Sequence, residues 1–405
     1  MTTPALRFTE FDGDWISSPL KKFFPKIRNG FVGIATPYYV ANGVKYLQGK
    51  NVKDGRIDPT GLIYISEEFH AKKSNSKLAI DDILMVQSGH VGECAVIDKE
   101  YDNANCHALI VLSPHKEQET NSHFVKYYFY TPIGKKIISQ IKTGNTIEHV
   151  LASEVKEIYL NFPSKVEQTK IASFLSIVDE KIAQLSQKHQ LLSQYKEGMM
   201  QKLFSQQIRF KADDGSEFEE WEITTLGLTG KFIGGGTPSK KVTEFWQGSI
   251  PWISSSDLVD ESIFNINITR FISTEALNQS ATKLIPANSI LIVSRVGVGK
   301  VAVTDKDICT SQDFTNLVLN SGNTVFFGYL IKSLTGRLLE MNQGTSIKGF
   351  VKDDLSTLKV QIPCLEEQLK IANLLSSFDQ KIDIVLGQLE QAKQWKKGLL
   401  QQMFV

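Results

Sequence analysis

The sequence predicts an α+β chain in which one plan is used twice. Two similar domains rich in short strands alternate with two long helices, expected to pack on each other as an antiparallel coiled coil with pseudo-twofold symmetry. Three observations predict this. A 42-residue segment recurs at an offset of 200 positions, an apolar heptad runs through both copies, and short β-type runs recur in order ahead of each copy.

The first element, residues 1–160, carries apolar runs of strand length (ILMVQ, ECAVI, HALIVL) separated by Gly, Asn and Ser turns. A short helix is expected over 124–141, ahead of the motif TGNTIEH (143–149). The third element, residues 206–361, repeats this plan with SILIV, KVAVT and TNLVL, a helix over 326–341 and QGTSIKG (343–349). Trp15 corresponds to Trp221, YISEE (64–68) to FISTE (271–275), and DILMVQSGHVGECAVID (82–98) to SILIVSRVGVGKVAVTD (289–305).

The second and fourth elements, 161–205 and 362–405, contain the repeat itself. Residues 163–204 and 363–404 match at sixteen of 42 positions without a gap. In the first copy the a positions are Ile171, Val178, Leu185, Leu192 and Met199, and the d positions Leu175, Ile182, His189, Lys196 and Leu203. In the second, Ile371, Phe378, Val385, Ala392 and Leu399 alternate with Leu375, Ile382, Leu389, Lys396 and Met403. A 3.5-residue period held over five heptads is a coiled-coil pattern. The 158-residue insert between the copies permits antiparallel pairing. Ser164 and Glu167 match a capping box, while the second copy has Cys364 and keeps only Glu367. Forty helical residues would span roughly 60 Å, a rod able to hold two domains a fixed distance apart. Gly198 and Gly398 mark either a frayed or kinked end or a close helix crossing.

Composition limits the function classes. With 41% hydrophobic and 22% charged residues the chain matches ordinary globular proteins. No run approaches 18 apolar residues, so no membrane span is expected, and MTTPALRFTEFDGDW does not read as a signal peptide. Cys94, Cys106, Cys309 and Cys364 are scattered without a C-x-x-C pair, which suits a reducing cytoplasm. Residues 1–160 carry 19 Lys/Arg against 18 Asp/Glu, and residues 206–361 carry 15 against 17. Neither has the positive excess of a non-specific nucleic-acid coat.

Catalytic signatures fail one by one. GGGTPSKK (234–241) lacks P-loop spacing, and RVGVGK (295–300) has Ser294 where the first Gly of that motif belongs. Both read as turns that expose backbone N–H groups, which can hold DNA phosphate. G-x-G-x-x-G, H-E-x-x-H and G-x-S-x-G do not occur, and TPYY (36–39) lacks the second Pro of an amino-methylating signature. Glu154-Val155-Lys156 has nuclease-like E-x-K spacing without a partnering acidic strand. Six of seven His lie in the first half without repeat counterparts, against a duplicated metal or acid–base centre.

What remains is a set of polar loop residues. In the second domain these are Lys240, Lys241, Ser254, Ser255, Ser256, Arg295, Lys300, Gln312, Asp313, Thr345, Ser346 and Lys348. In the first they are Tyr38, Tyr39, Tyr46, Gln48, Lys50, Ser88, His90, Asn105, Lys142 and Asn145. Arg, Lys, Asn, Gln and Ser read base edges and grip phosphates. Such residues are common in all loops, so their chemistry alone leaves DNA contact open.

The layout resembles the specificity subunit of type I restriction–modification systems, over essentially the whole chain. P-x-x-x-E-Q-x-x-I-A-x-x-L opens both helices (163–175 and 363–375), and GGGTPS (234–239), GSIPWIS (248–254) and SILIV (289–293) follow that family's order in the second domain. The first domain departs, with RNGFVG (28–33) in place of GGGTPS. The resemblance implies two target-recognition domains (1–160 and 206–361), a central conserved helix (161–205) and a C-terminal one (362–405). It implies a non-catalytic, cytoplasmic reader of double-stranded DNA with a bipartite, non-palindromic target. Two methyltransferase subunits would dock on it and restriction–translocation subunits would join them. The chain itself would carry no cofactor, with S-adenosylmethionine, magnesium and ATP on the partners. Gln168, Ile171, Leu175, Ile182 and Gln368, Ile371, Leu375, Ile382 are the coiled-coil and docking candidates. Two other classes share the architecture: a coiled-coil scaffold presenting two protein-binding domains, and a self-contained restriction enzyme, which the missing motifs disfavour.

Overall fold

A computed structural model describes residues 3–115, 120–144, 148–341 and 349–405. They fold as two compact units, one of residues 1–185 with 388–405 and the other of residues 186–387.

The first unit is built on an antiparallel sheet ordered Lys26–Asn29, Leu109–Ser113, Ile83–Val86, Cys94–Val96. Its inner strands are continuous apolar runs without period-2 alternation, because both sheet faces are covered. Ile83, Met85, Ile110 and Leu112 turn into the core beside helix Ser122–Tyr130, while Leu84, Val86, Leu109 and Val111 form a separate core on the opposite face. The second unit repeats this with Gly230–Gly234, Thr315–Leu319, Ser289–Ile292 and Val301–Thr304. There Ile290 and Ile292 face one core, Leu291 and Val293 the other.

A smaller sheet in each unit contains one parallel pairing. Asn105–Cys106 runs alongside Val44–Leu47 in the first, and Ile308–Thr310 alongside Ile250–Ile253 in the second. A two-stranded ribbon then joins the start of each domain to its end. Ile16–Pro19 pairs with Tyr159–Phe162, and Glu222–Thr225 with Lys359–Ile362. Each ribbon leads directly into a long helix, Lys165–Phe204 or Leu365–Gln402.

The helix pairing is antiparallel in each unit. In the first, Ile171, Leu175 and Val178 pack with Leu399, Leu400, Met403 and Phe404. In the second, Met200 and Leu203 pack with Ile371, Leu375 and Phe378. The helix ends carry aromatic plugs. Phe404 stacks on Phe124 at 5.2 Å and meets Trp15 edge-on, and Phe204 and Trp221 close on Phe326.

Three sequence expectations are revised. The helix expected over 124–141 is two, Ser122–Tyr130 and Pro132–Ile141. Pro132 lacks an N–H, and the Thr131 hydroxyl starts the second helix by accepting from the Gly134 N–H at 2.9 Å. The second unit has no such proline, and its helix Thr324–Met341 is continuous. The capping box is also half used. Ser164 accepts from the Glu167 N–H, but the Glu167 carboxylate takes a bidentate pair from Arg7, 2.7 Å on each arm. Glu367 likewise takes Arg209 and the Trp221 indole N–H. A charge-assisted fork outweighs one backbone bond. Third, both long helices run through Gly198 and Gly398, where an added Cβ would meet nothing within 4 Å. Neither glycine marks a close crossing among the described residues.

The heptad lysines find acids. Lys396 pairs with Asp179 at 2.6 Å in the first unit, and Lys196 with Asp379 in the second. Tyr127 donates to Asp179 at 2.7 Å, and Tyr329 to Asp379, tying each domain helix to a long helix. One position breaks the symmetry. Lys126 is 5% exposed, whereas Gly328, in the equivalent place, lies against Ile263 and Val303.

Candidate nucleic-acid interface

In the second unit, strand Ile250–Ile253 ends in a turn stapled by its own side chains. The Asp257 carboxylate accepts from the Ser254 N–H at 2.7 Å and from the Ser254 hydroxyl at 3.1 Å. Arg270 donates to Ser254 Oγ at 2.7 Å, pairs with Asp257 and lies over the Trp252 ring at 4.6 Å. Ser254 and Asp257 have S-x-x-D spacing in the sequence, a signal that went unused; Arg270 falls where the first domain has Ile63 and carried no sequence signal.

Neighbouring loops converge on this turn. The parallel strand Ile308–Thr310 places Ser311 against Ile253, and Gln312 and Asp313 follow. Gln312 accepts from Thr237, which the sequence reading did not single out. The glycine run before it has a steric cause: a Cβ at Gly235 would collide with the carbonyls of Thr310 and Ser311, and one at Gly236 with the Ala281 backbone. The loop Arg295–Lys300 comes in from the large sheet, close enough that a Cβ added at Gly297 would lie 3.6 Å from the Ser255 side chain.

The candidates divide by what they already hold. The Lys300 ammonium donates to the carbonyls of Ser255 and Leu258 at 3.2 and 2.8 Å, so it clamps one loop to the other. Arg295, Gln312, Lys240, Lys241 and Ser256 are exposed, and Ser254, Ser255 and Asp313 half-buried. Thr345, Ser346 and Lys348 lie outside the described residues.

The first unit has the same turn in different chemistry. Asn51 Oδ1 accepts from the Gln48 N–H at 3.1 Å, and Asn51 Nδ2 donates to Asp58 O. Gln48 donates to the Tyr39 hydroxyl at 3.2 Å, and Lys50 is exposed. The exposed loop Ser88–His90 follows Val86, whose side chain a Cβ added at Gly49 would meet at 3.6 Å. Lys142 pairs with Glu148, whose carbonyl accepts from Gly89. Tyr38, exposed, stacks on Phe69 with centroids 4.3 Å apart. Two candidates lie inside the domain. Tyr46 is buried against His107, and burial raises its phenol and lowers the imidazole. Asn105 is buried against His70 and the Lys73 carbonyl. Asn145 is outside the described residues.

The helix candidates are taken up within their own units. Gln168 Oε1 accepts from Thr120 and the Asn121 N–H, and its amide donates to Pro163 O; Gln368 repeats this with the Asn323 N–H and Pro363 O. Ile171, Leu175, Ile371, Leu375 and Ile382 are buried, and Ile182 packs partly against the core. The apolar residues these helices leave exposed include Ile177, Leu191, Tyr195, Ile384 and Trp395, none of them singled out from sequence. Glu154 is also accounted for: its carboxylate accepts from the Leu151 N–H as a helix cap.

The repeat is thus a structural scaffold carrying two unlike loop sets, and its match to known proteins covers both halves. The profile of the type I restriction modification DNA specificity domain fits residues 13–194 and again 218–394. The chain belongs to this family. The MjaVIII type I restriction enzyme specificity subunit of Methanocaldococcus jannaschii is 25% identical, the match covering 89% of this chain and 90% of that one. The EcoR124I/EcoR124II specificity subunit of Escherichia coli is 37% identical over 187 residues, covering 43% and 45%. Among solved structures, the S subunit of the type I restriction-modification system from M. genitalium superposes with a TM-score of 0.64 at 18% identity, over 100% of this chain and 99% of that one. A chain from a structure of type I complex assembly and conformational transition gives 0.57 at 16% identity, over 95% and 96%. Both specificity domains of this chain therefore serve DNA sequence recognition in a type I restriction–modification system. Among the described residues, no helix is long and apolar enough to cross a membrane.

Proposed function

We propose that the chain is the non-catalytic reader of its type I complex, recognising a bipartite, non-palindromic site in double-stranded DNA. The observation that carries this is the contrast between matching scaffolds and unlike loops. Ser254–Asp257, Arg270 and Arg295 in the second unit stand where Gln48–Asn51 and Ser88–His90 stand in the first. Identical loops would read a palindrome; these read two different half-sites. The spacing between half-sites follows the length of the long helices, and readers on one face of B-DNA engage it about one turn apart, roughly 34–36 Å.

Two methyltransferase subunits dock on the exposed helix faces, and restriction–translocation subunits join them. The matching hydrogen bonds of Gln168 and Gln368, and the matching lysine partners of Asp179 and Asp379, support two equivalent docking surfaces. S-adenosylmethionine, magnesium and ATP act on those partners, in the cytoplasm. The failure of every catalytic sequence signature supports the assignment. The test is to map methylated positions in the host genome, then measure binding of the complex to the deduced site and to scrambled duplexes. An asymmetric bipartite target bound in preference to scrambled DNA is expected; equal binding to both sinks the proposal.

A further inference from the structure

The loop Ser294–Lys300 contains two valines, separated by one residue, that meet opposite fates. Val298 packs against the core of the second unit. Val296 is 70% exposed, at the tip. The backbone holds it there: the Val293 N–H donates to Lys300 O at 2.9 Å and the Gly299 N–H to Val293 O at 3.1 Å. Gly297 and Gly299 take φ of +80° and +96°, a region that favours glycine. Lys300 fastens the loop to the Ser255–Leu258 turn. Val296 is therefore an apolar group presented outward by a pinned loop, between the exposed Arg295 and Gly297, where an added Cβ would lie 3.6 Å from the Ser255 side chain.

A singly exposed valine is ordinary on a protein surface. Here its neighbours are the donors and acceptors that converge at the candidate interface. In the major groove, thymine alone among the four bases carries an apolar group on its edge, the C5 methyl. Resting on the DNA-reading assignment above, we infer that Val296 reads a thymine methyl group in the half-site of the second unit, beside the base contacted by Arg295. In the first unit the equivalent positions are Ser88 and Gly89, so this loop confers methyl dependence on one half-site only.

The experiment uses the full chain with its co-purifying partner subunits and the target deduced from genomic methylation. Each thymine of the target is replaced singly by deoxyuridine, which removes the methyl group and nothing else, and binding is followed by fluorescence anisotropy. One position in one half-site is expected to bind about fourfold more weakly, the worth of one buried methyl group. Val296→Ala should bind thymine and deoxyuridine duplexes alike, while Arg295→Ala keeps the discrimination. The inference is overturned if all deoxyuridine duplexes bind like the parent, or if Val296→Ala still discriminates. Loss of any preference for target over scrambled DNA overturns the DNA-reading assignment as well; specific binding without a deoxyuridine effect overturns the Val296 contact alone.

Discussion

Lys196 donates into the carboxylate of Asp379 inside the second unit, where the lysine is 8% and the aspartate 1% exposed. Asp379 also accepts from Tyr329, and Lys196 reaches the Glu261 carbonyl at 3.2 Å, so both charges are fully occupied. Lys196→Met leaves an uncompensated buried carboxylate and is expected to cost about 3–5 kcal/mol, with the Lys196→Met/Asp379→Leu double variant closer to wild type than either single change. Denaturant unfolding of the three variants measures this; additive single losses would contradict it.

The matching pair in the first unit is wetter. The Asp179 and Lys396 side chains keep 30% and 21% exposure, and solvent screens them. Asp179→Asn should cost about 1–3 kcal/mol, less than Asp379→Asn. Equal losses on chemical unfolding would show that burial is not the deciding term.

Lys126 makes the first unit pH-sensitive on its alkaline side. Burial pushes its ammonium down to about 8, with Lys396 adding to the effect and Asp179 opposing it. Unfolded, the side chain titrates near 10.4. Between those values the unfolded chain binds more protons, so this group's contribution to stability rises with pH across that window. Lys126→Met should be more stable than wild type at pH 7, by on the order of 3 kcal/mol, and the difference should shrink towards pH 10. Thermal melts of both proteins across that range test it; a constant difference would rule it out.

Arg295 and Lys300 should separate by kind of effect. Arg295→Ala is expected to weaken binding by about 1–3 kcal/mol and relax preference at one base pair. Lys300→Ala frees the Ser255–Leu258 turn, and its signature is faster amide exchange there together with weaker binding. Binding to a panel of single-base variants, with exchange on the free protein, distinguishes the two.

Removing one heptad from each long helix, at matched positions, should change the spacer between half-sites while leaving the half-sites themselves unaltered. Genomic methylation patterns read this directly. An unchanged spacer would show that the helices do not set it.

The repeat and the heptads were legible in sequence because a period survives in one dimension. The sheet strands were legible as apolar runs, but that strands such as Ile83–Val86 are buried on both faces emerged only from the cores on either side of the sheet. The capping box was misread at Glu167 because its partner, Arg7, is 160 positions away. A separation of 183 positions hid the role of Lys196 in the same way: a lysine at a d position looks like a flaw until Asp379 and Tyr329 are placed around it. Tyr46 and Asn105 looked like loop residues because their polarity is visible and their burial is not. Arg270 and Thr237 were missed because nothing local marks a side chain that acts through a neighbour brought in by a strand pairing, antiparallel for Arg270 and parallel for Gln312, the partner of Thr237.

The amino-acid order by itself determined that one plan is built twice, where each long helix begins, and which side of it is apolar, since helix and strand periodicities are local properties. Tertiary structure alone decided which polar side chains face outward at the converging loops and which are consumed by internal acceptors, as Arg295 and Lys300 are within six residues of each other. That choice depends on carbonyls and carboxylates supplied from remote parts of the chain, and no local pattern encodes their arrival.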